Sequence, residues 1–343
     1  MNRSEIPLNF TDNLTLPNSS WMSRTNQSCK PTAKEWTATL TFGVVITWTQ
    51  LLNLLIFALW RRKEPYISLH VALAVASLLC GLTFIISVPL RYLPLTPVNI
   101  ILNKLFGYVF FSFTTSTAIL ANFAISLDRW LSVEFPVIYR TQVTHRKTLW
   151  VSTVGVFGTG LVLVGTGTAL YWNDGIVIDT CSRQVTYRPQ NITLGHEFWQ
   201  VFNANIFMPF LFLSQLRIVM ISATLKLQRH RNQRVITANG NVEATRALMR
   251  IVWSSMLASM AVVGITLISK VPFIIVYYLI RVIPGKVLMW LYPLVGFLTF
   301  IMHFTSPLVY LLFWPTYRGI VLGLFQRLRC RCLAYGAERD DSR

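Results

Sequence analysis

The sequence predicts an all-α membrane protein, a bundle of seven transmembrane helices followed by a short amphipathic eighth helix. Three observations lead to this prediction. Of the 343 residues, 53% are hydrophobic and only 13% are charged, whereas a soluble domain carries about 25% charged residues. Seven apolar runs approach or exceed the length of about 20 residues that a spanning helix needs. Polar segments, several of them rich in lysine and arginine, separate these runs.

Residues 1–36 are predicted to form a glycosylated extracellular tail. The segment is polar, and it lacks the basic start and apolar core of a cleaved signal peptide. Five Asn-x-Ser/Thr sequons crowd into it and a sixth lies far along the chain, which predicts N-glycosylation. Accidental sequons in a polar disordered tail are the alternative. The acceptors are Asn2, Asn9, Asn13, Asn18, Asn26 and Asn191.

Residues 37–315 are predicted to contain the spanning helices. The first run holds a polar residue deep inside, Asn53, and the fourth is rich in glycine, which allows helices to approach closely in lipid. The last three runs each contain a proline: Pro209, Pro272 and Pro307. The predicted spans are, in order, about 38–60, 67–90, 103–130, 148–172, 198–227, 251–280 and 287–313.

Residues 316–343 are predicted to form the amphipathic helix and a cytoplasmic tail. Ile320, Leu324 and Leu328 recur every four residues and alternate with arginines, a pattern typical of a helix lying on a membrane surface. Cys330 and Cys332 follow this basic helix, and this position predicts palmitoylation of both thiols.

The distribution of basic residues predicts the orientation. With the amino terminus outside, 19 of the 31 lysines and arginines fall in cytoplasmic segments and 10 fall outside, as the positive-inside rule requires. The sequons independently place the amino terminus outside. The net charge of +18 is therefore interpreted as anchoring to anionic membrane lipid rather than as binding to nucleic acid.

Two motifs stand at the ends of predicted spans. The third span ends in Ser126-Leu127-Asp128-Arg129-Trp130, with Pro136 seven residues after Arg129, and the seventh contains Ser306-Pro307-Leu308-Val309-Tyr310. With these motifs in this order along the chain, the sequence resembles rhodopsin-like (class A) G-protein-coupled receptors over about residues 38–331. In that family the third helix ends in Asp/Glu-Arg-Tyr and the seventh carries Asn-Pro-x-x-Tyr. Asn53, Pro209 and Pro272 also match family positions.

The resemblance implies a multi-pass receptor of the plasma membrane that passes an extracellular signal to a heterotrimeric G protein, and not an enzyme. It assigns coupling and activation to Asp128, Arg129, Pro136, Pro307 and Tyr310. A narrower likeness, to chemoattractant-type receptors, rests on the segment around Asp128 and on Leu225 after the fifth span. The resemblance implies no cofactor.

The chain departs from the family at five positions. Ser77 replaces a buried Asp that holds sodium, Lys270 replaces a Trp of the sixth helix, and Arg217 replaces a Tyr of the fifth. Lys104 stands where the family has a disulfide-forming Cys, and Phe300 where opsins bind retinal. These changes leave two alternatives to ligand-driven signalling: a constitutively active receptor, and a non-signalling decoy or scaffold. A transporter is a further alternative, although the halves of the chain show no repeat.

The family disulfide cannot form without a cysteine at position 104. A bond between Cys29 and Cys181, which are both predicted to be extracellular, is expected instead, since the extracellular space is oxidising. Two free thiols or an intermolecular bridge are the alternatives.

Lys270 is the sharpest anomaly, because an ionisable residue at mid-span costs about 3 kcal/mol on insertion scales. Asp128 is the only acidic residue expected within a span. Lys270 is therefore expected to bind an anionic ligand, such as a lipid carboxylate or an acidic peptide, to bond helix carbonyls, or to stay neutral. The other candidates for the ligand pocket are Phe111, Lys104, Arg91 and His303. The five histidines are scattered and the spacing of Cys330 and Cys332 is too short, so no metal site is expected.

Overall fold

The computed structural model describes residues 33–60, 64–94, 96–172, 176–178, 185–187, 205–236, 242–282 and 286–326, and these are almost entirely helical. Seven long helices follow one another and are called helices 1 to 7 here. In order they are Ala33–Ala58, Ile67–Leu90, Pro97–Glu134, His145–Tyr171, Met208–Ile236, Val242–Val282 and the bent pair Lys286–Phe304 and Ser306–Phe313.

The hydropathy of these helices makes the chain a multi-pass membrane protein. Helices 1, 2, 3, 4 and 6 contain segments long and apolar enough to cross a membrane, and the bent pair of helix 7 passes as one further span. Helix 5 contributes a shorter apolar stretch, Met208–Ile221. Many apolar side chains on the outside of the bundle are exposed, for example Trp48, Leu161 and Ile268, as expected where lipid rather than water surrounds the protein.

Helices 1 and 2 pack closely because glycines face each other between them. A Cβ atom at Gly81 would lie 2.9 Å from the Thr47 nitrogen and 3.0 Å from the Gly43 oxygen, so only glycine allows this approach. Helix 3 lies centrally, and its middle turns, including Ala118, Ile119 and Ala121, are fully buried. The main core of the bundle forms around helices 2 and 3, and helices 1, 4, 5, 6 and 7 add side chains to it.

Several boundaries differ from those predicted. Helix 3 begins at Pro97, where the Thr96 hydroxyl caps the helix by accepting from the Asn99 amide, and it continues to Glu134. Helices 5 and 6 reach Ile236 and Val242, so much of the predicted basic loop is helical. Helix 7 bends by 52° at Thr305. Pro307 lies in the first turn of the following segment, where its missing N–H costs little.

Two short strands follow helix 4 and were not predicted. Ile176–Ile178 and Val185–Tyr187 pair antiparallel, with Val177 opposite Thr186. A helix over 315–326 follows helix 7 where the eighth helix was predicted, with Arg318 exposed and Ile320 packed against the core. The predicted sequons, the Cys29–Cys181 disulfide and the palmitoylation sites Cys330 and Cys332 lie outside the described residues and stay predictions.

Candidate functional site

The predicted pair Asp128 and Arg129 lies at the end of the bundle where helices 1 and 3 finish and helices 2 and 4 begin, called the Arg129 end here. Both side chains are buried, with 8% and 7% of their surfaces exposed. Arg129 Nε donates to Asp128 Oδ2 over 3.0 Å, and Nη2 donates to the same oxygen. The two charges therefore compensate each other in a place where little of either side chain is exposed.

The second contact of this pair comes from the short helix Pro136–Gln142. Pro136 occupies its first turn, so the chain reverses after helix 3 and brings Tyr139 back over Asp128. The Tyr139 hydroxyl donates to Asp128 Oδ1 over 2.8 Å and accepts from Arg129 Nη2 over 3.4 Å. Burial raises the pKa of Tyr139 above its ordinary value, so the phenol stays a neutral donor.

Arg129 also reaches helix 6 and the start of helix 2. Its Nη1 lies 3.4 Å from Ser255 Oγ, and its guanidinium carbon lies 4.4 Å from the centre of the Tyr66 ring. The Tyr66 hydroxyl interacts with Ser255 and Glu64. The partner of Arg129 on helix 6 is thus the hydroxyl of Ser255, which no sequence motif indicated.

A buried histidine joins three helices next to this cluster. His70 Nδ1 lies 2.7 Å from the Tyr310 hydroxyl, and its Nε2 lies 3.3 Å from Ser259 Oγ. Trp314 packs edge-on to His70 and stacks on Tyr66 at 5.6 Å between ring centres. Tyr310 was predicted from its motif, whereas His70 was not, although a titratable side chain inside the second apolar run is a usable signal.

Asn53 belongs to a chain of hydrogen bonds that joins helix 1 to helix 7 and to Tyr317 in the helix that follows. Tyr317 donates its hydroxyl to Asn53 Oδ1 over 3.1 Å, and Asn53 Nδ2 donates to Gln50 Oε1 over 3.0 Å. Gln50 Nε2 then donates to the His303 carbonyl and to Ser306 Oγ, the latter over 3.2 Å. This network connects the Arg129 end to the middle of the bundle.

The five predicted pocket residues fall into three places. Lys270 is buried in helix 6, with 7% of its surface exposed, and lies within electrostatic range of Cys80 and His303. His303 Nδ1 lies 3.1 Å from Ser77 Oγ. Among the described residues no carboxylate forms an ion pair with Lys270. Lys270 and His303 thus lie within electrostatic range of each other, and His303 bonds the serine that stands in the place of the family Asp.

Phe111 lies in the same part of the bundle as His303, and its ring is part of the aromatic packing there. Its ring packs against Phe84 and Phe300, with ring centres 5.3 and 6.4 Å apart, over the buried Cys80. The residue at the retinal-binding position, Phe300, is thus part of an aromatic layer.

Lys104 and Arg91 lie toward the opposite end of the bundle. Lys104 Nζ donates to the Trp172 carbonyl over 3.2 Å and lies 5.3 Å from the centre of the Trp172 ring. It therefore ties helix 3 to the end of helix 4, near the place where the family has its disulfide. Arg91 is half-buried, and this burial lowers its pKa.

One expectation about acidic residues was wrong. Asp128 was expected to be the only acidic residue within a span, but helix 3 extends to Glu134. Glu134 Oε1 lies 3.4 Å from Arg217 Nη2, and the Arg217 side chain is 57% exposed. Arg217 therefore points to the outside of the bundle and has an acidic partner there. In the described part of the chain, no cluster of three metal-binding side chains occurs.

No protein-family model and no curated protein sequence matches the chain. Among solved structures, the crystal structure of squid rhodopsin superimposes with a TM-score of 0.65 over 83% of this chain and 78% of that chain, at 17% sequence identity. The chain has the rhodopsin fold. This confirms the predicted seven-helix bundle and the fold that the resemblance implied.

Proposed function

We propose that the chain is a plasma-membrane receptor, with its amino terminus outside, that passes a signal to a heterotrimeric G protein at the Arg129 end. The observation that carries this proposal is the way Arg129 is held. Its charge is satisfied by Asp128 on its own helix, whereas its contact with Ser255 on helix 6 is a single bond of 3.4 Å. Helix 6 is thus held near helix 3 by a contact that is easily broken.

The Arg129 end opens when helix 6 moves away from helix 3, and breaking the contact between Arg129 and Ser255 costs little free energy. A hydrogen bond with one charged partner contributes about 1.5–3 kcal/mol net, and this one, at 3.4 Å, is long for a bond of its kind. A signal that favours the open arrangement by a few kcal/mol therefore shifts the population toward it. In the open arrangement, Arg129 becomes accessible to a partner protein from the cytoplasm.

The signal proposed for this receptor is an anionic ligand, a lipid carboxylate or an acidic peptide. The support comes from Lys270, a buried cation beside His303 that has no carboxylate partner among the described residues. A buried charge of this kind is stabilised by a counter-ion. Phe111 borders the same place, while Lys104 and Arg91 lie nearer the proposed outer mouth, where they attract anions.

A second candidate function is that of a seven-helix scaffold that does not signal. Lys270 replaces the Trp of the sixth helix, and Arg217 points outward to Glu134 instead of into the bundle. In the family that the chain resembles, the residues at both positions help to transmit the movement that opens the helix bundle.

Activation of G proteins in cells without added ligand is the first test of the proposal. We expect signalling above mock-transfected cells at matched surface expression, and its loss in Arg129→Ala. Arg217→Ala, which also removes an arginine, is the control and keeps the activity. Lys270→Trp reports whether this position sets the basal level. If wild type, Arg129→Ala and Lys270→Trp all equal mock-transfected cells while surface expression is good, a self-activating receptor is excluded, and signalling must then be sought with an added anionic ligand; silence there as well favours the scaffold.

A further inference from the structure

A narrow slot of about 370 Å³ runs along the outside of the bundle between helices 3 and 4. Its walls are apolar along most of their length and include Phe123, Leu127, Val151, Gly155 and Phe207. Leu127 and Val151 are exposed apolar residues, so the slot opens through a surface that faces lipid. The volume lies within the range of small-molecule sites.

The slot has the length of a lipid chain. It extends along helix 4 from Lys147 to Thr159, which is about 18 Å at the helical rise per residue. The part of helix 4 beside it, Val151–Gly158, has π-helical hydrogen bonding, a rare form that occurs frequently at functional sites. Gly155 adds no side chain to the wall, since a Cβ atom there would meet only Val151 at 3.8 Å.

The amide and the lysine of the slot lie together at one end, whereas the other end carries a single hydroxyl residue, Thr159. The amide is that of Gln142 and the lysine is Lys147, whose Nζ lies 3.5 Å from Gln142 Oε1. Arg140 and Arg146 are exposed on the adjoining segment. Asp128 contributes to the wall, but its carboxylate is already bound by Arg129 and Tyr139. The mouth therefore presents positive charge that the neighbouring acids do not neutralise.

A second groove differs from the slot in its charged lining, because that lining includes an acid as well as His145. It lies between helices 1, 2 and 4, has a volume of about 540 Å³, and carries Glu64 among its lining residues. The larger groove thus combines an apolar wall with an acid, whereas the smaller slot combines an apolar wall with a lysine.

We propose that the slot between helices 3 and 4 binds one acyl chain of an anionic phospholipid of the cytoplasmic leaflet, with the headgroup phosphate at Lys147 and Gln142. The leaflet follows from the proposed orientation, and that leaflet is the one rich in anionic lipid. The bound chain packs against helix 3 and against the end of the helix that carries Tyr139. It therefore holds Tyr139 on Asp128 and favours the closed Arg129 end.

Photocrosslinking tests this site in the full-length chain. The protein is reconstituted in phosphatidylcholine vesicles that contain phosphatidylserine with a diazirine in one acyl chain, and labelled peptides are mapped. Labels are expected on the slot-lining parts of helices 3 and 4. Gly155→Phe fills the slot and is expected to lower this labelling at least roughly fivefold, the factor that follows from losing about 1 kcal/mol of binding. Gly165→Phe, on the same helix at a place where a Cβ atom meets nothing within 4 Å, is the matched control and keeps it.

Charge variants test the headgroup separately. Lys147→Gln is expected to lower labelling by phosphatidylserine roughly fivefold, because one basic residue at the surface contributes about 1 kcal/mol. Arg146→Gln changes the net charge equally outside the slot and has a smaller effect. Thermal unfolding of each variant shows that it is folded. Equal labelling by a phosphatidylcholine probe, labelling of the groove at Glu64 instead, or retained labelling in both Gly155→Phe and Lys147→Gln would overturn the proposal.

Discussion

His70 Nδ1 lies 2.7 Å from the hydroxyl oxygen of Tyr310, and this contact joins helices 2 and 7 inside the Arg129 end. The other ring nitrogen of His70 faces Ser259 on helix 6 at 3.3 Å. Both His70 and Tyr310 are almost completely buried. One imidazole ring thus fixes the spacing of three helices beside the contact between Arg129 and Ser255.

Replacing His70 by leucine is expected to destabilise the protein by about 1–3 kcal/mol, because the Tyr310 hydroxyl and Ser259 Oγ each lose a buried partner. Thermal unfolding of the purified chain measures the loss. Tyr310→Phe removes the other side of the contact, so the effects of the two changes are expected to be smaller together than their sum. Strictly additive losses would show that the two side chains do not interact.

Tyr139→Phe is expected to raise basal activation of the G protein. The change removes the hydroxyl that donates to Asp128 and accepts from Arg129, which favours the closed state by about 1–2 kcal/mol, or roughly five- to thirtyfold in the equilibrium. Thr141→Val is the control, because its hydroxyl bonds only carbonyls of the same short helix. Reporter assays at matched surface expression measure the result. An unchanged or lower activity would contradict the proposed role of Tyr139.

Lys270→Met is expected to raise the stability of the fold, whereas Lys104→Met is expected to lower it. Lys270 is buried without a carboxylate partner in the described part of the chain, so an apolar side chain of similar length stabilises the fold. Lys104 bonds the Trp172 carbonyl and lies over its ring, so its replacement costs about 1–3 kcal/mol. Thermal unfolding without ligand measures both. A loss of stability in Lys270→Met would mean that Lys270 has a partner in the folded protein.

Alanine substitutions at three glycines are expected to differ in their effect on stability, and the loss of stability is expected to be larger where the neighbouring helix lies closer. At Gly81 the added Cβ atom meets backbone atoms of helix 1 at 2.9 and 3.0 Å, so the helices must separate, at a cost of about 1–3 kcal/mol or more. At Gly160 it meets the Thr117 hydroxyl at 2.6 Å, and this side chain can rotate at a smaller cost. At Gly165 nothing lies within 4 Å. Unfolding temperatures in any other order would contradict this packing.

The seven helices and the place of Asp128 and Arg129 were predictable, because both depend on local signals. Hydropathy defines each span within one stretch of sequence, and the Asp-Arg pair is adjacent in the chain. The structure supports the fold that these signals predicted, with a longer helix 3 whose additional turn brings Glu134 to Arg217.

The partners of the site residues were not predictable in the same way. His70 meets Tyr310 across 240 positions, and Arg129 meets Ser255 across 126. These pairs depend on how helices 2, 3, 6 and 7 rotate against each other, which hydropathy does not encode. Lys104 was expected in a ligand pocket because of its charge. In the structure it contacts Trp172, and this contact depends on where helix 4 ends.

Nucleotide exchange with purified components tests the central claim most directly, namely that Arg129 is held closed by Tyr139 and Ser255 and acts on a G protein when released. The full-length chain, Tyr139→Phe, and Tyr139→Phe combined with Arg129→Ala are each reconstituted in vesicles with purified heterotrimers of each class. The account predicts that Tyr139→Phe accelerates exchange above wild type on at least one class, and that adding Arg129→Ala abolishes the gain. Exchange equal to protein-free vesicles for every folded variant and every class would contradict it.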